Sequence, residues 1–203
     1  MDLTQEIADR VRAATGPLRI AGAGTKAWYG RAVAGEVLDV TGHSGIVDYD
    51  PSELVVTARA GTPLAEIEAA IAAHGQMLAF EPPAFGTLGG AVATGLAGPR
   101  RPFTGAVRDY VLGVRVLDGR GDVLRFGGTV FKNVAGFDAF RLMSGAQGTL
   151  GVILDVSLRV TPRPRVEVSL AFDMASGPAR AWVTGLMVRP LPLSGAFHDG
   201  ERL

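Results

Sequence analysis

The sequence has no cysteine among its 203 residues. This absence excludes disulfide bonds, a thiolate nucleophile, a cysteinyl cofactor link and a cysteine-ligated iron–sulfur cluster within the chain. Long hydrophobic runs are also missing, since no apolar stretch approaches the roughly 18 residues that cross a bilayer. The polar and acidic residues 1–6 do not form a secretory signal. We therefore expect no transmembrane segment and a cytoplasmic location.

An excess of charge of one sign is absent too, because Lys plus Arg and Asp plus Glu both number 20. A chain with balanced charge has no global field that would recruit nucleic acid or an anionic membrane. The histidines (His43, His74 and His198) are not spaced as metal ligands, and no Ser-His-Asp order accompanies a nucleophile motif. The sequence thus predicts no nucleic-acid partner and no metal site, and it assigns no catalytic residue.

Glycine is abundant instead, at 28 of 203 residues, which is about twice ordinary usage. Much of it falls in a first glycine loop (residues 22–25), a second (87–98, followed by Arg100 and Arg101) and a third (145–151). Glycine permits positive φ and a close approach of the backbone to a ligand, and clustered N–H groups suit phosphate. A single such loop is as well explained as a plain turn. Three of them predict one elongated, phosphate-bearing ligand.

The pattern of apolar residues predicts an α+β fold. Helical spacing covers residues 3–14, and a short strand at 18–20 leads into the first glycine loop. Thr62 and Pro63 are typical of an N-cap and first helical position. A hairpin is predicted from 111 to 126, and the alternation over 152–160 indicates a half-buried strand.

The C-terminal stretch differs from the rest of the chain. Val166, Val168, Leu170 and Phe172 alternate as in a strand, and residues 176–188 are compatible with a helix. One strand and one helix cannot bury both of their faces alone. The stretch is therefore either the start of a further domain or an irregular edge of the preceding one.

The order of the glycine motifs resembles the FAD-binding domain of the vanillyl-alcohol oxidase or PCMH type. The motifs concerned are GAGT at 22–25, TLGG at 87–90, RDYVLG at 108–113 and GTLGVI at 148–153. Within that group the chain is similar to the FAD-binding subunit of bacterial glycolate oxidase. This second likeness rests on EPP at 81–83, GLAGPRRP at 95–102, RFGG at 125–128 and KNVAGFD at 132–138. The likeness runs from about residue 17 to residue 164, and the ending fits it as well.

The resemblance implies a PCMH-type domain at residues 1–165, with lobes of about 1–79 and 80–165 and non-covalent FAD between them. Residues 166–203 would begin a cap domain that is truncated here. The first two glycine loops would meet the pyrophosphate, residues 93–95 would pass near the flavin, and residues 148–153 would lie near the adenosine half or the ring edge. The implied cofactor-binding residues are Gly22, Gly24, Thr25, Pro82, Thr87, Gly89, Gly90, Ala93, Thr94, Gly95, Arg100, Asp109, Gly148, Gly151, Val152 and Ile153.

The same resemblance implies a subunit of a complex that oxidises glycolate or another 2-hydroxy acid. In that family the substrate gives a hydride to the flavin, and the electrons leave through an iron–sulfur subunit. A sister flavoprotein would be a second partner, and the complex would be cytoplasmic or peripheral at the inner membrane. Two alternatives stay open: a non-catalytic subunit that only holds FAD, and a fragment of a dehydrogenase for D-lactate or another hydroxy acid.

Overall fold

The structure is a computed structural model that describes residues 1–129 and 138–203. The helices are α1 (Thr4–Ala13), α2 (Leu64–Ala72), α3 (Leu88–Thr94), α4 (Arg101–Thr104), α5 (Val107–Tyr110), α6 (Ala139–Leu142) and α7 (Ser176–Met187). The strands are β1 (Leu18–Ala21), β2 (Glu36–Asp39), β3 (Ile46–Asp50), β4 (Val55–Arg59), β5 (Gln76–Met77), β6 (Val111–Leu117), β7 (Val123–Gly127), β8 (Val152–Arg159) and β9 (Thr161–Pro162). The predicted α+β class is confirmed.

A five-stranded sheet with the order β3-β4-β8-β6-β7 forms the centre of the molecule. Each pair of neighbours in it is antiparallel. The sheet takes strands from both sides of the predicted lobe boundary near residue 80, because β4 pairs directly with β8. The division of residues 1–165 into two lobes stays a prediction, and the sheet is continuous across it.

Strand β8 is buried on both faces, whereas its alternating sequence predicted a half-buried strand. Every residue from Val152 to Leu158 is buried, including Asp155 and Ser157. One apolar cluster joins this strand to α2 and α3, and a second joins it to α1 and β2. The prediction of a solvent-facing side was wrong because α1 and β2, which are distant in sequence, cover that side.

The buried polar side chains of β8 have hydrogen-bond partners, which explains why they can be buried. The Ser157 hydroxyl lies 2.8 Å from the Thr57 hydroxyl on the paired strand β4. Asp155 Oδ2 accepts from Arg115 and its Oδ1 lies 3.3 Å from Nε2 of the fully buried His43. A buried polar side chain is tolerated when it is hydrogen-bonded, so these pairs fix the strand in the sheet without exposing it.

Helix α2 begins one residue later than the sequence predicted. Pro63 is its N-cap and makes no side-chain capping bond. The Thr62 hydroxyl instead accepts from the Gly45 N–H at 2.9 Å, so Thr62 links the start of α2 to the turn before β3.

The C-terminal stretch confirms one prediction and corrects another. Helix α7 forms as predicted, but the alternating residues from Val166 to Phe172 do not form a strand. Val166 and Leu170 are 80% and 71% exposed, since no strand of the described residues pairs with this segment. None of the helices in the described ranges combines the length and apolar character that a bilayer span requires.

Candidate functional site

A cavity of about 400 Å³ lies where the three glycine loops meet. Volumes of this size are typical of small-molecule and cofactor sites. Strand β1, helix α3 and the residues before β8 carry the loops to this point. The convergence of separate chain segments on one space is what the sequence predicted for an elongated ligand.

The first glycine loop offers backbone donors to the cavity. It follows β1 directly, and Gly24 has φ of +70° with no atom of another described residue within 4 Å of where a Cβ would stand. None of the N–H groups of residues 22–25 donates to an acceptor within residues 1–129 or 138–203. Successive free N–H groups in a turn form a concave site for an anion.

The second glycine loop has its donors committed elsewhere. The Leu88 N–H donates to Thr62 O at 2.9 Å, and the Gly89 N–H donates to Ala60 O at 2.8 Å. The Gly90 N–H donates to the Thr87 hydroxyl, which caps α3, at 3.3 Å. These bonds hold the start of α3 against the residues that follow β4, so this loop shapes the wall of the cavity.

The third glycine loop joins the other two. Its Gln147 N–H donates to Ala93 O in α3 at 2.8 Å. Gly148 has φ of +79°, and a Cβ on it would lie 3.2 Å from Cδ1 of Ile20 in β1. The loop thereby packs between α3 and β1 and closes one end of the cavity.

The first two loops touch where Gly22 meets Thr87. A Cβ on Gly22 would lie 2.6 Å from the Thr87 hydroxyl oxygen, which is closer than real Cβ contacts allow. Glycine at this position therefore lets the capped start of α3 approach the donors of the first loop.

Basic groups and no acidic group line the cavity in the part of the chain that the structure describes. The basic residues are Arg19, Lys26 and Arg31. Arg19 and Arg31 are exposed, whereas Lys26 is only 8% exposed. Burial lowers the pKa of the Lys26 ammonium from its ordinary value, because desolvation disfavours the charged form. The cavity thus suits an anion by charge and by its backbone donors.

Most of the residues that the sequence singled out as cofactor-binding line this cavity. They are Gly22, Gly24, Thr25, Thr87, Gly89, Gly90, Ala93, Thr94, Gly148, Gly151 and Ile153. The structure brings these residues together from three separate stretches, and their contacts with a cofactor stay a prediction.

The other predicted residues lie outside the cavity, each with its own partners. Arg100 Nε donates to Glu81 at 2.8 Å, and Arg100 Nη2 donates to Glu167 at 2.6 Å. The hydrogen bond with Glu167 raises the pKa of Arg100. Asp109 accepts from the Ala106 N–H at 2.8 Å. The remaining three are Pro82, which is buried, Gly95, which packs against the third loop, and Val152, which belongs to the second apolar cluster.

Several residues that line the cavity were not among those that the sequence singled out as cofactor-binding. The side chains concerned include Lys26, Tyr29, Arg31, Val33, Met143 and Gln147. Lys26 directly follows the GAGT motif, and its position and positive charge were the signal that the sequence offered. Residues 27–35 have no periodic pattern, and tertiary packing alone brings them to the cavity. The KNVAGFD motif at 132–138 lies outside the described residues except for Asp138.

A family described as "FAD binding domain" matches residues 2–127. The chain belongs to the FAD binding domain family. FAD is accordingly its cofactor. The cavity fits a cofactor that carries a pyrophosphate. In the described part of the chain it has backbone donors without an acceptor, basic side chains, and glycines at which a Cβ would not fit.

Relatives of this FAD binding domain include glycolate oxidase subunit GlcE of Escherichia coli K12, which is 52% identical over 208 residues. That match covers 100% of this chain and 59% of the relative. D-lactate dehydrogenase of Anaerostipes hadrus is 34% identical over 67% of this chain and 29% of its own length. Glycolate oxidase subunit GlcD of Bacillus subtilis 168 is 32% identical over 62% of this chain and 27% of its own length. The chain thus spans less than two thirds of these relatives.

A solved structure of alkyldihydroxyacetonephosphate synthase has the same fold. The TM-score is 0.64 at 22% sequence identity, over 80% of this chain and 31% of the other. This likeness confirms the predicted PCMH-type fold.

Proposed function

We propose that this chain is the FAD-binding subunit of an oxidoreductase complex that oxidises glycolate or a closely related 2-hydroxy acid, with the FAD it holds as the hydride acceptor or as an electron relay. The observation that carries the proposal is the 52% identity to the E. coli glycolate oxidase subunit over the whole chain. The cavity formed by the three glycine loops supports it, because it suits an elongated anionic cofactor.

In this proposal the chain contributes binding and orientation. The free N–H groups of Gly22, Gly24 and Thr25 donate to the pyrophosphate, and each charge-assisted bond stabilises the bound state by about 1.5–3 kcal/mol. The walls formed by α3 and the third loop, from Ala93 and Thr94 to Gly148 and Ile153, hold the rest of the cofactor. When bound, FAD supplies the capacity to accept two electrons from a substrate.

The partners we propose are an iron–sulfur subunit and a sister flavoprotein subunit. These 203 residues contain no cysteine, so they supply no thiolate ligand for an electron-accepting cluster. The location of the complex, in the cytoplasm or peripherally at the inner membrane, is part of the same proposal and rests on the resemblance. So is the assignment of residues 1–165 to the FAD-binding domain and of 166–203 to the beginning of a cap.

A second candidate is a subunit that holds FAD without oxidising the substrate itself. Among the described residues, no histidine, aspartate or glutamate lines the cavity. Abstraction of a hydroxyl proton needs a general base within hydrogen-bond reach, and such a group would come from elsewhere. A third candidate, a D-lactate or other hydroxy-acid dehydrogenase, is favoured by the relative from Anaerostipes hadrus.

The deciding experiment uses the purified chain, incubated with FAD and desalted. Retained visible absorption of the flavin supports the FAD-holding function, and a colourless protein that is folded by circular dichroism contradicts it for the isolated chain. Anaerobic addition of glycolate then separates the candidates, because bleaching of the flavin means that this chain oxidises the substrate. If only D-lactate bleaches the flavin, the third candidate replaces the first.

A further inference from the structure

We propose that Lys26 binds the pyrophosphate of FAD through its ammonium group, as the one buried cation among the described residues that line the cavity. The inference rests on the proposed role of the first glycine loop and adds a charged side chain to it. Lys26 follows that loop directly and lines the same cavity.

The ammonium group of Lys26 has donors to spare. It donates to Phe85 O at 2.9 Å, and the Phe85 ring centroid lies 5.4 Å from Nζ. An ammonium group has three N–H donors and no acceptor, so this carbonyl uses one of them. The bond to Phe85 ties the side chain to the residues just before the second loop and leaves two donors available.

Lys26 is a buried cation without a counter-ion among the residues that the structure describes. Lys26 is 8% exposed, and in the described part of the chain no carboxylate pairs with it. A buried charge is costly unless it is paired and hydrogen-bonded. An anionic ligand in the cavity would supply the missing partner, which is why the charge points to a bound phosphate.

The Thr25 hydroxyl and the Lys26 ammonium converge on one place beside Gly86. A Cβ on Gly86 would lie 2.5 Å from Thr25 Oγ1 and 2.7 Å from Lys26 Nζ. Gly86 has φ of +94°, a conformation that favours glycine. Because Gly86 has no side chain, the Thr25 hydroxyl and the Lys26 ammonium can both lie close to this position. Together with the N–H groups of the first glycine loop, they form a set of donors that suits a pyrophosphate.

The test compares FAD binding to the wild type, Lys26→Met, Lys26→Arg and the control Arg120→Met. Arg120 is exposed in the turn between β6 and β7 and does not line the cavity, so its replacement removes one positive charge elsewhere. We expect Lys26→Met to raise the Kd for FAD roughly 10- to 100-fold. Lys26→Arg should keep much of the affinity, and Arg120→Met should change the Kd less than about twofold, as for a screened remote charge.

Two further readouts separate a contact with the ligand from a structural role. The thermal midpoint of the FAD-free Lys26→Met protein should equal or exceed that of the wild type, because removal of an unpaired buried charge relieves its desolvation cost. The slope of log Kd against log salt should also become shallower in this variant, since a charge contact is lost. An unchanged Kd for Lys26→Met would overturn the proposal, and so would a weaker affinity that is fully accounted for by a lower midpoint. A wild type that binds no FAD would instead contradict the proposed function.

Discussion

The first and second glycine loops lie side by side on one cavity, yet their backbone N–H groups have opposite roles. Those of residues 22–25 have no acceptor in the described residues, whereas those of residues 88–90 are bonded to Ala60, Thr62 and Thr87. Similar glycine content therefore hides a difference in chemistry. The first loop is organised to donate to a ligand, and the second is organised to hold α3 in place.

The largest effect on FAD affinity is expected from a substitution that forces the first and second glycine loops apart. In Gly22→Val the new Cβ would stand 2.6 Å from the Thr87 hydroxyl, so the first loop must move and its donors lose their alignment. Loss of two or three charge-assisted bonds should weaken FAD binding at least about 100-fold. Flavin fluorescence titration measures this.

Gly16→Val is the matched control, because no atom from residues 1–129 or 138–203 outside its own chain neighbours lies within 4 Å of a Cβ at that position. If Gly22→Val bound FAD as tightly as this control, the contact between the two loops would not be needed to align the donors of the first loop.

A change in the second loop should act mainly on stability. In Gly89→Ala the Cβ would stand 2.7 Å from the Ala60 Cβ and 3.1 Å from Ala60 O. Overpacking of this kind lowers the free energy of unfolding by about 1–3 kcal/mol, which urea denaturation of the FAD-free protein measures.

Gly90→Ala is the comparison for that change, since the one close contact of its Cβ in the described part of the chain would be the Thr87 hydroxyl at 3.3 Å. It should cost less than about 1 kcal/mol, because alanine also gains helix propensity over glycine. Equal losses in both variants would mean that packing on Ala60 does not position the loop.

The cap of α3 offers a smaller and sharper test of the same comparison. Thr87→Val keeps the shape of the side chain and removes the acceptor of the Gly90 N–H. Loss of a threonine cap costs about 0.5–2 kcal/mol of stability. If the second loop is structural, the free energy of unfolding should fall by this amount while the Kd for FAD changes less than about threefold. A large loss of affinity with unchanged stability would assign the Thr87 hydroxyl to the ligand.

The smallest effect on the free energy of unfolding is expected from substitution of Asp2, which does not line the cavity. Hydrogen bonds from Thr4 chiefly lower the Asp2 pKa from 3.8 to about 2. The resulting stability is present above pH 3.8 and is lost as the pH falls towards 2. Because the side chain is about half exposed, Asp2→Asn should cost less than about 1 kcal/mol at pH 7. Denaturation curves of the variant should lack this part of the acid dependence, and FAD affinity should not change.

Local patterns in the sequence were enough to predict the elements that depend on near neighbours. Helix α1, strand β1, the hairpin of β6 and β7, and helix α7 were predicted from periodicity and turn residues and are confirmed. The glycine loops were found from the spacing of the glycines along the sequence, since closely spaced glycines are typical of turns in which the backbone takes positive φ or approaches a ligand. The α+β class follows from these elements.

The rest depends on contacts between distant positions. Strand β8 is buried on both faces because α1 and β2 cover it, and the segment from Val166 to Phe172 lacks the neighbour that a strand requires. Arg100 was expected at the cofactor, yet Glu167, a residue of the C-terminal stretch, pairs with its guanidinium. Neither the choice of partner nor the bonding of a particular N–H group is visible in a residue pattern.

Amide hydrogen exchange of the chain with and without FAD tests the difference between the two loops most directly. The amides of residues 22–25 should exchange rapidly in the FAD-free protein and become protected when FAD binds. Those of residues 88–90 should be protected in both states, because their acceptors lie within the fold. Protection gained only at residues 88–90, with residues 22–25 unchanged, would contradict the account.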